Sequence, residues 1–426
     1  VGGSYMYPAM ARAFRGAGFQ WATQFAYDPL HMAFANTEYQ THFLNLVYTP
    51  RKAISFMIAG EVFRRVPRGT SYGSYPGSAD FGAFRVSFEE GRSEMVTDTA
   101  FFYSNGSQTR PPAPEELRRV AGVGSSPVVT YDGTGAYFLD RLADGVWRLE
   151  VYPDAAWVVD PFTRPSLDRE AARVIWRTRP LHIDLPDLGD DFAARPIGDA
   201  NGHRPTARGA TIDVRPGVYL LSRSRTPAGD WSPERVVEGR RLDAFIAPPP
   251  SDAPAEVVHA PPAELEAGSA FPVRLAVVSA EPVDSVVLSA RQVGVWPPLP
   301  LLRMEPAGAF GYEATLPADR LQEGLLEYTV SVHDGGSVRT FPGPEGGHPG
   351  HPRQWDYSGQ DRWRVPMIPP GSPILLFDAK RDLDHVLYPH PWSYVPFKAG
   401  IGTGSEPGRL SLEAVVEDFS SAPHHF

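Results

Sequence analysis

Phe19-Gln20-Trp21-Ala22-Thr23-Gln24-Phe25-Ala26-Tyr27, FQWATQFAY, is the stretch on which the fold assignment turns. It is mostly apolar, carries four aromatic rings and one β-branched residue, and follows a glycine stop, a pattern that suits a buried parallel strand. The preceding YMYPAMARAFRGAG reads as an amphipathic helix, with Pro8 in its first turn, Met6, Met10, Ala13 and Phe14 on one face, and Gly16 and Gly18 ending it. Asp28-Pro29 closes the strand. After the polar, aromatic loop LHMAFANTEYQTHFLNLVY, Thr49 stands as N-cap and Pro50 at the first helical position. Ala53, Ile54, Met57, Ile58, Val62 and Phe63 then form the buried face of a second helix.

The order is helix, strand, helix. One such unit cannot bury both faces of its strand, so it calls for neighbouring strands in a parallel sheet. From Arg68 onward the sequence turns to short strands and Gly or Pro turns, so those neighbours are expected upstream of Val1. The chain is accordingly read as a fragment.

With 426 residues the chain has room for about two to four domains. Its formal net charge is -10 and its basic residues are scattered, Arg118-Arg119 and Arg240-Arg241 being only pairs, which argues against nucleic acid. Without cysteine it can hold neither a disulfide nor a thiolate metal site. No apolar run approaches the ~20 residues of a membrane span. The 45 prolines and 40 glycines punctuate apolar, aromatic segments, as in β-proteins rich in turns, rather than forming low-complexity sequence.

Four regions follow from this pattern. Residues 1–67 hold the α-β-α unit. Residues 68–250 hold short strands rich in Val, Phe, Tyr and Trp, with Asp-Gly turn signals at 132–133 and 144–145, and form an antiparallel β-sandwich. Within it, PPAPEELRRVAGVG reads as one short helix from Pro114 to Gly122. A proline-rich linker, APPPSDAPAEVVHAPP, leads to residues 251–345, whose alternating strands are spaced as in a sandwich of about 100 residues. This module resembles an immunoglobulin-like or fibronectin type III domain, with Tyr328 and Val330 of LEYTVSVHDGG on one face. Residues 346–426 read as a linker and the start of a further, jelly-roll-like β module.

FRGAG followed by FQWATQFAYDP resembles the last helix-to-strand passage of retaining glycoside hydrolases with a (β/α)8 barrel, the clan of family 42 β-galactosidases and family 5 cellulases. The resemblance covers about the first 65 residues and implies the end of a truncated barrel followed by accessory β-sandwiches, a mainly β, multi-domain chain. It also implies that the two catalytic glutamates lie on earlier strands, so that this chain by itself lacks hydrolytic activity. A strand aromatic would then form the platform under the sugar.

The residues make their own argument for a saccharide. A pyranose packs its C–H face on an aromatic ring and needs planar hydrogen-bonding groups at its hydroxyls, which Trp21, Gln24, Tyr27, Asp28, Asn36 and Glu38 can supply together. Asp28 and Glu38 are the only carboxyl groups near the strand end. Both come from one loop, whereas barrel enzymes draw catalytic groups from several strands. Asp28 before Pro29 also reads simply as a turn residue.

The spacing of His31 and His42 matches no compact zinc motif, and GVGSS at 122–126 lacks the lysine and helix of a phosphate loop. No G-x-S-x-G elbow occurs. No cofactor or metal is therefore expected. Two function classes stand: part of a secreted polysaccharide-degrading enzyme, or a non-catalytic carbohydrate-binding or cell-surface structural protein. An aromatic strip drawn from Trp147, Tyr152 and Trp157 would favour the second. The module architecture implies an extracellular, periplasmic or cell-surface location.

Overall fold

The computed structural model describes residues 3–37, 42–73, 79–160, 166–198, 202–223, 229–350 and 361–372, and the backbone of Phe397–Ile401 and Leu410–Ala414. Strand accounts for 37% of the described residues and helix for 11%. Helix α1 spans Met6–Gly16 and α2 spans Pro50–Arg65, and they are the only α-helices among the described residues.

That composition overturns the barrel. FQWATQFAY enters no ladder; it runs over the surface as irregular chain, with Trp21 71% and Phe25 65% exposed. A run of aromatics carries the same local pattern in a buried strand and on a surface, and only neighbouring strands tell the two apart. The helices pack instead on a mainly antiparallel sheet.

That sheet has nine strands. Their spatial order is Asp80–Phe81, Phe84–Ser87, Arg92–Val96, Ala100–Tyr103, Arg119–Val123, Ala136–Ala143, Val146–Val151, Gly217–Ser222 and Ala193–Pro196. Ala100–Tyr103 and Arg119–Val123 run parallel; the other pairings are antiparallel. Because successive side chains point to opposite faces, AFFY divides cleanly. Ala100 and Phe102 join the core under the helices with Ile54, Ile58 and Val62. Phe101 and Tyr103 join a second core with Trp147, Leu181 and Ile212, closed by a four-stranded sheet that contains Arg179–Ile183 and Thr211–Val214. The first module is thus three layers, helices on sheet on sheet. Covering both faces explains why AFFY, VWRLEV and GVYLLS are buried along their whole length.

The face of α1 also differs from the expected one. Tyr7, Ala11, Arg12 and Arg15 turn inward and Ala13 outward. Two arginines can sit there because their guanidinium groups are bonded to backbone carbonyls, Arg15 Nε to Val66 O at 2.7 Å and Arg12 to Gly73 O at 2.8 Å. In α2, Ile54, Ile58 and Val62 are fully buried, as the spacing requires. Thr49 caps through its position rather than its side chain, for its hydroxyl donates to Asn45 O at 3.0 Å. The PPAPEEL segment makes only a 3-10 turn, Pro114–Glu116, before entering the sheet.

Residues beyond the proline-rich linker form a second sandwich of one four-stranded and one seven-stranded sheet. Its core contains Val273, Leu288, Tyr328 and Val330. Trp363–Ile368 pairs with Gly324–Asp334, so this module's sheet extends past residue 345. Arg177 ties the two sandwiches, donating to Ser279 O at 2.9 Å and lying 5.0 Å over the Phe310 ring. Ile368–Phe426 forms a separate compact unit, in which Phe397–Ile401 and Leu410–Ala414 pair antiparallel. Residues 373–396 of the expected further β module lie outside the described residues.

Candidate functional site

The residues singled out in the sequence take up different duties. Asp28 is buried, and its Oδ2 accepts the Leu44 amide at 2.6 Å while Asn45 Nδ2 donates to its carbonyl at 2.9 Å. It clamps the loop 28–45 closed, as a turn aspartate does. Asn36 is buried in the left-handed region, φ 51°, where it ends the 3-10 turn Ala33–Ala35. Trp21 and Tyr27 stand largely in solvent, the Tyr27 hydroxyl accepting the Leu46 amide at 2.9 Å, and Gln24 donates to the Phe25 carbonyl at 3.4 Å. Glu38 lies outside the described residues.

A different concavity carries the features of a binding site. A cleft of about 450 Å³ opens where the start of α2 meets the first sandwich and the edge of the second. Its apolar walls include Trp157, Tyr48 and Phe310. Of the three aromatics Trp147, Tyr152 and Trp157, the first two are buried, Trp147 among the core rings. Trp157 is 41% exposed and presents its indole to the cleft. It lies on Asp154–Trp157, which pairs with Ala172–Ile175, and the buried Phe43 ring backs it.

The polar rim comes from Thr134, Arg51 and Lys52. Thr134 is fixed in place, its hydroxyl donating to Ala155 O at 2.9 Å and its amide donating to Asp154 Oδ1 at 2.6 Å. Asp154 is in turn held by Arg179 Nε at 2.6 Å. Lys52 is buried to 5% exposure and its ammonium donates to the His42 carbonyl. Burial pushes the Lys52 amine down to about 8, Asp28 resisting the fall through its negative charge. His42 is lowered too, by burial first and by neighbouring positive charge that includes Lys52. Tyr48 is pushed up to about 12 by burial, aided by Glu170.

Sequence reasoning passed over Arg51 and Lys52. The signal was their place directly after Thr49-Pro50, since the first turn of a helix favours acidic residues, and α2 has none there.

The two arginine pairs noted in the sequence meet in space, around a second concavity of about 320 Å³. Each is matched by carboxylates: Arg119 by Asp140 at 3.0 Å, Arg240 by Glu150 at 2.7 Å, and Arg241 by Asp243 at 2.7 Å. This is an ion-pair network that pins the Val236–Arg241 turn to the sheet. Among the described residues no group of three His, Asp or Glu side chains is placed to hold a metal. No described helix is long and apolar enough to cross a membrane.

No protein-family model matches the chain, so nothing there supports the glycoside hydrolase resemblance. No curated protein matches it either.

Proposed function

We propose that this chain is a non-catalytic carbohydrate-binding protein of the extracellular or cell-surface kind, and that the cleft at Trp157 takes the saccharide. The observation that carries the reading is the half-exposed Trp157 indole, braced by the buried Phe43 and forming the wall of a 450 Å³ cleft with Thr134, Arg51 and Lys52 at its polar edge. A sugar ring offers an apolar C–H face to such an indole and hydroxyls to such a rim. Binding without hydrolysis is favoured because glycoside cleavage needs two carboxyl groups, and no Asp or Glu is among the described residues lining the cleft. The exposed Trp21 and Tyr27 rings, with the half-buried Gln24 between them in sequence, provide a second surface for the same kind of ligand.

The test is a glycan-array screen followed by calorimetry on the best oligosaccharide. Saturable binding that weakens at least about tenfold in Trp157→Ala supports the reading. Absence of binding to any plant, algal or bacterial glycan, or binding indifferent to Trp157→Ala and Trp21→Ala alike, overturns it.

A further inference from the structure

We infer that the cleft over Trp157 is built for a carboxylated sugar, a uronate unit whose ring packs on the indole while its carboxylate meets Arg51 and Lys52. This rests on the carbohydrate reading and narrows it to one ligand class. In a protein of net charge -10, the charged residues among those described as lining this cleft are one arginine and one lysine, with no carboxylate in the lining.

Lys52 as a residue is 5% exposed, and the one hydrogen bond described for its ammonium goes to a neutral carbonyl, that of His42. A buried cation ordinarily sits against a carboxylate. The acidic groups on the packed elements are committed elsewhere. Asp28 accepts the Leu44 amide and acts on Lys52 through space; Asp154 is held by Arg179; Glu170 is held by Arg173 at 2.8 Å. Among the described residues, the remaining titratable neighbours, His42, Tyr48 and Arg51, bring no negative charge at neutral pH. Burial lowers the Lys52 pKa with Asp28 opposing it through space, and an anionic ligand in the cleft would add to that opposition.

Arg51 and Lys52 occupy adjacent positions at the start of α2, and Trp157 belongs to the sandwich that faces it across the same cleft. A uronate presents one charged edge and one apolar face on a single ring, and it is the ligand that uses both walls at once. The guanidinium fork of Arg51 can take both oxygens of such a carboxylate at once.

The experiment is calorimetry on the full chain with oligogalacturonate, oligomannuronate and glucuronoxylan oligosaccharides. Neutral xylo- and manno-oligosaccharides and inorganic sulfate serve as comparisons. At least one uronate series is expected to bind about tenfold or more tightly than the neutral sugars, and to lose that advantage in Lys52→Met and in the exposed-site variant Arg51→Gln. Titrations at pH 8 in buffers of different ionisation heat should show uptake of roughly half a proton, as the ligand raises the Lys52 pKa. Neutral oligosaccharides that bind equally well, with sensitivity to Trp157→Ala alone, overturn the uronate inference and leave the carbohydrate reading standing. Sulfate binding as tight as that of the uronates overturns a sugar-carboxylate site, and no saccharide binding at all overturns both.

Discussion

Trp157 lies against Phe43 with ring centroids 6.5 Å apart and planes inclined at 29°. The contact joins a strand of the first sandwich to the loop that leads into α2, so the cleft wall is held from two distant parts of the chain. Since Phe43 is fully buried, the exposed indole rests on a rigid support rather than on solvent. Trp157→Ala should therefore weaken glycan binding at least about tenfold while costing little stability, about 1 kcal/mol, because the ring is already half in water. Calorimetry beside a denaturant melt separates the two effects.

Lys52 makes stability depend on alkaline pH. Its folded pKa, about 8, lies below the ordinary lysine value of 10.5, so the unfolded chain takes up the proton first as pH falls. The destabilisation sets in below about pH 10.5 and is complete below about pH 8, with a size of about 3 kcal/mol before relaxation. Lys52→Met should accordingly gain about 1 to 3 kcal/mol over the parent at pH 7 and little at pH 10.5. Urea melts of both proteins at the two pH values decide it; equal stability at pH 7 would remove the claim.

His259 works in the acidic range. Its Nδ1 donates to Arg274 O at 2.8 Å and its Nε2 accepts the Tyr328 hydroxyl at 2.7 Å, an arrangement of the neutral ring, and burial lowers its pKa. Here too the unfolded state binds the proton first, so the second sandwich should lose stability as pH falls below about 6.5, down to the folded pKa. His259→Gln should show a shallower fall between pH 7 and 5, and an NMR titration should place the His259 midpoint below 6.5.

Glu150 holds three partners at once, Arg148 at 2.7 Å, Arg240 at 2.7 Å and the Tyr152 hydroxyl at 2.8 Å, and is itself fully buried. Glu150→Ala leaves the buried Arg148 without its paired carboxylate and should cost about 3 to 5 kcal/mol. Replacing Arg148 and Glu150 together by methionine and leucine should cost markedly less, which a double-mutant cycle measures.

Asp28 and Trp21 provide a direct check on the surface course of FQWATQFAY. Trp21→Ala should change stability by no more than about 0.5 kcal/mol, since the ring is mostly in solvent. Asp28→Ala removes a buried acceptor from the Leu44 amide and should cost about 1 to 3 kcal/mol. A large loss at Trp21 would mean that the segment is packed as a strand after all.

Both helices were legible in the sequence, because proline at the first turn and apolar residues at helical spacing are local signals, and Ile54, Ile58 and Val62 face inward as that spacing requires. The short strands were legible for the same reason; the Asp144-Gly145 turn joins Ala136–Ala143 to Val146–Val151 with Gly145 at φ 63°. The barrel was misjudged because strand formation depends on partners remote in sequence, and nothing within FQWATQFAY records whether a neighbour pairs with it. The candidate site was hidden for a related reason. Arg51, Lys52, Thr134 and Trp157 are spread over more than a hundred positions, and each looks ordinary alone.

The sequence by itself determined the chemistry of the parts: a cysteine-free, acidic chain of two early helices and many short aromatic strands, whose periodicities follow from backbone geometry. Only the tertiary structure decided that the helices cover a mainly antiparallel sheet, that Trp147 is core while Trp157 meets solvent, and that two cations share a cleft with an indole. Those outcomes depend on which faces are left to be covered once every sheet has found its partner. Burial is settled by packing over the whole chain, and no local window of residues carries it.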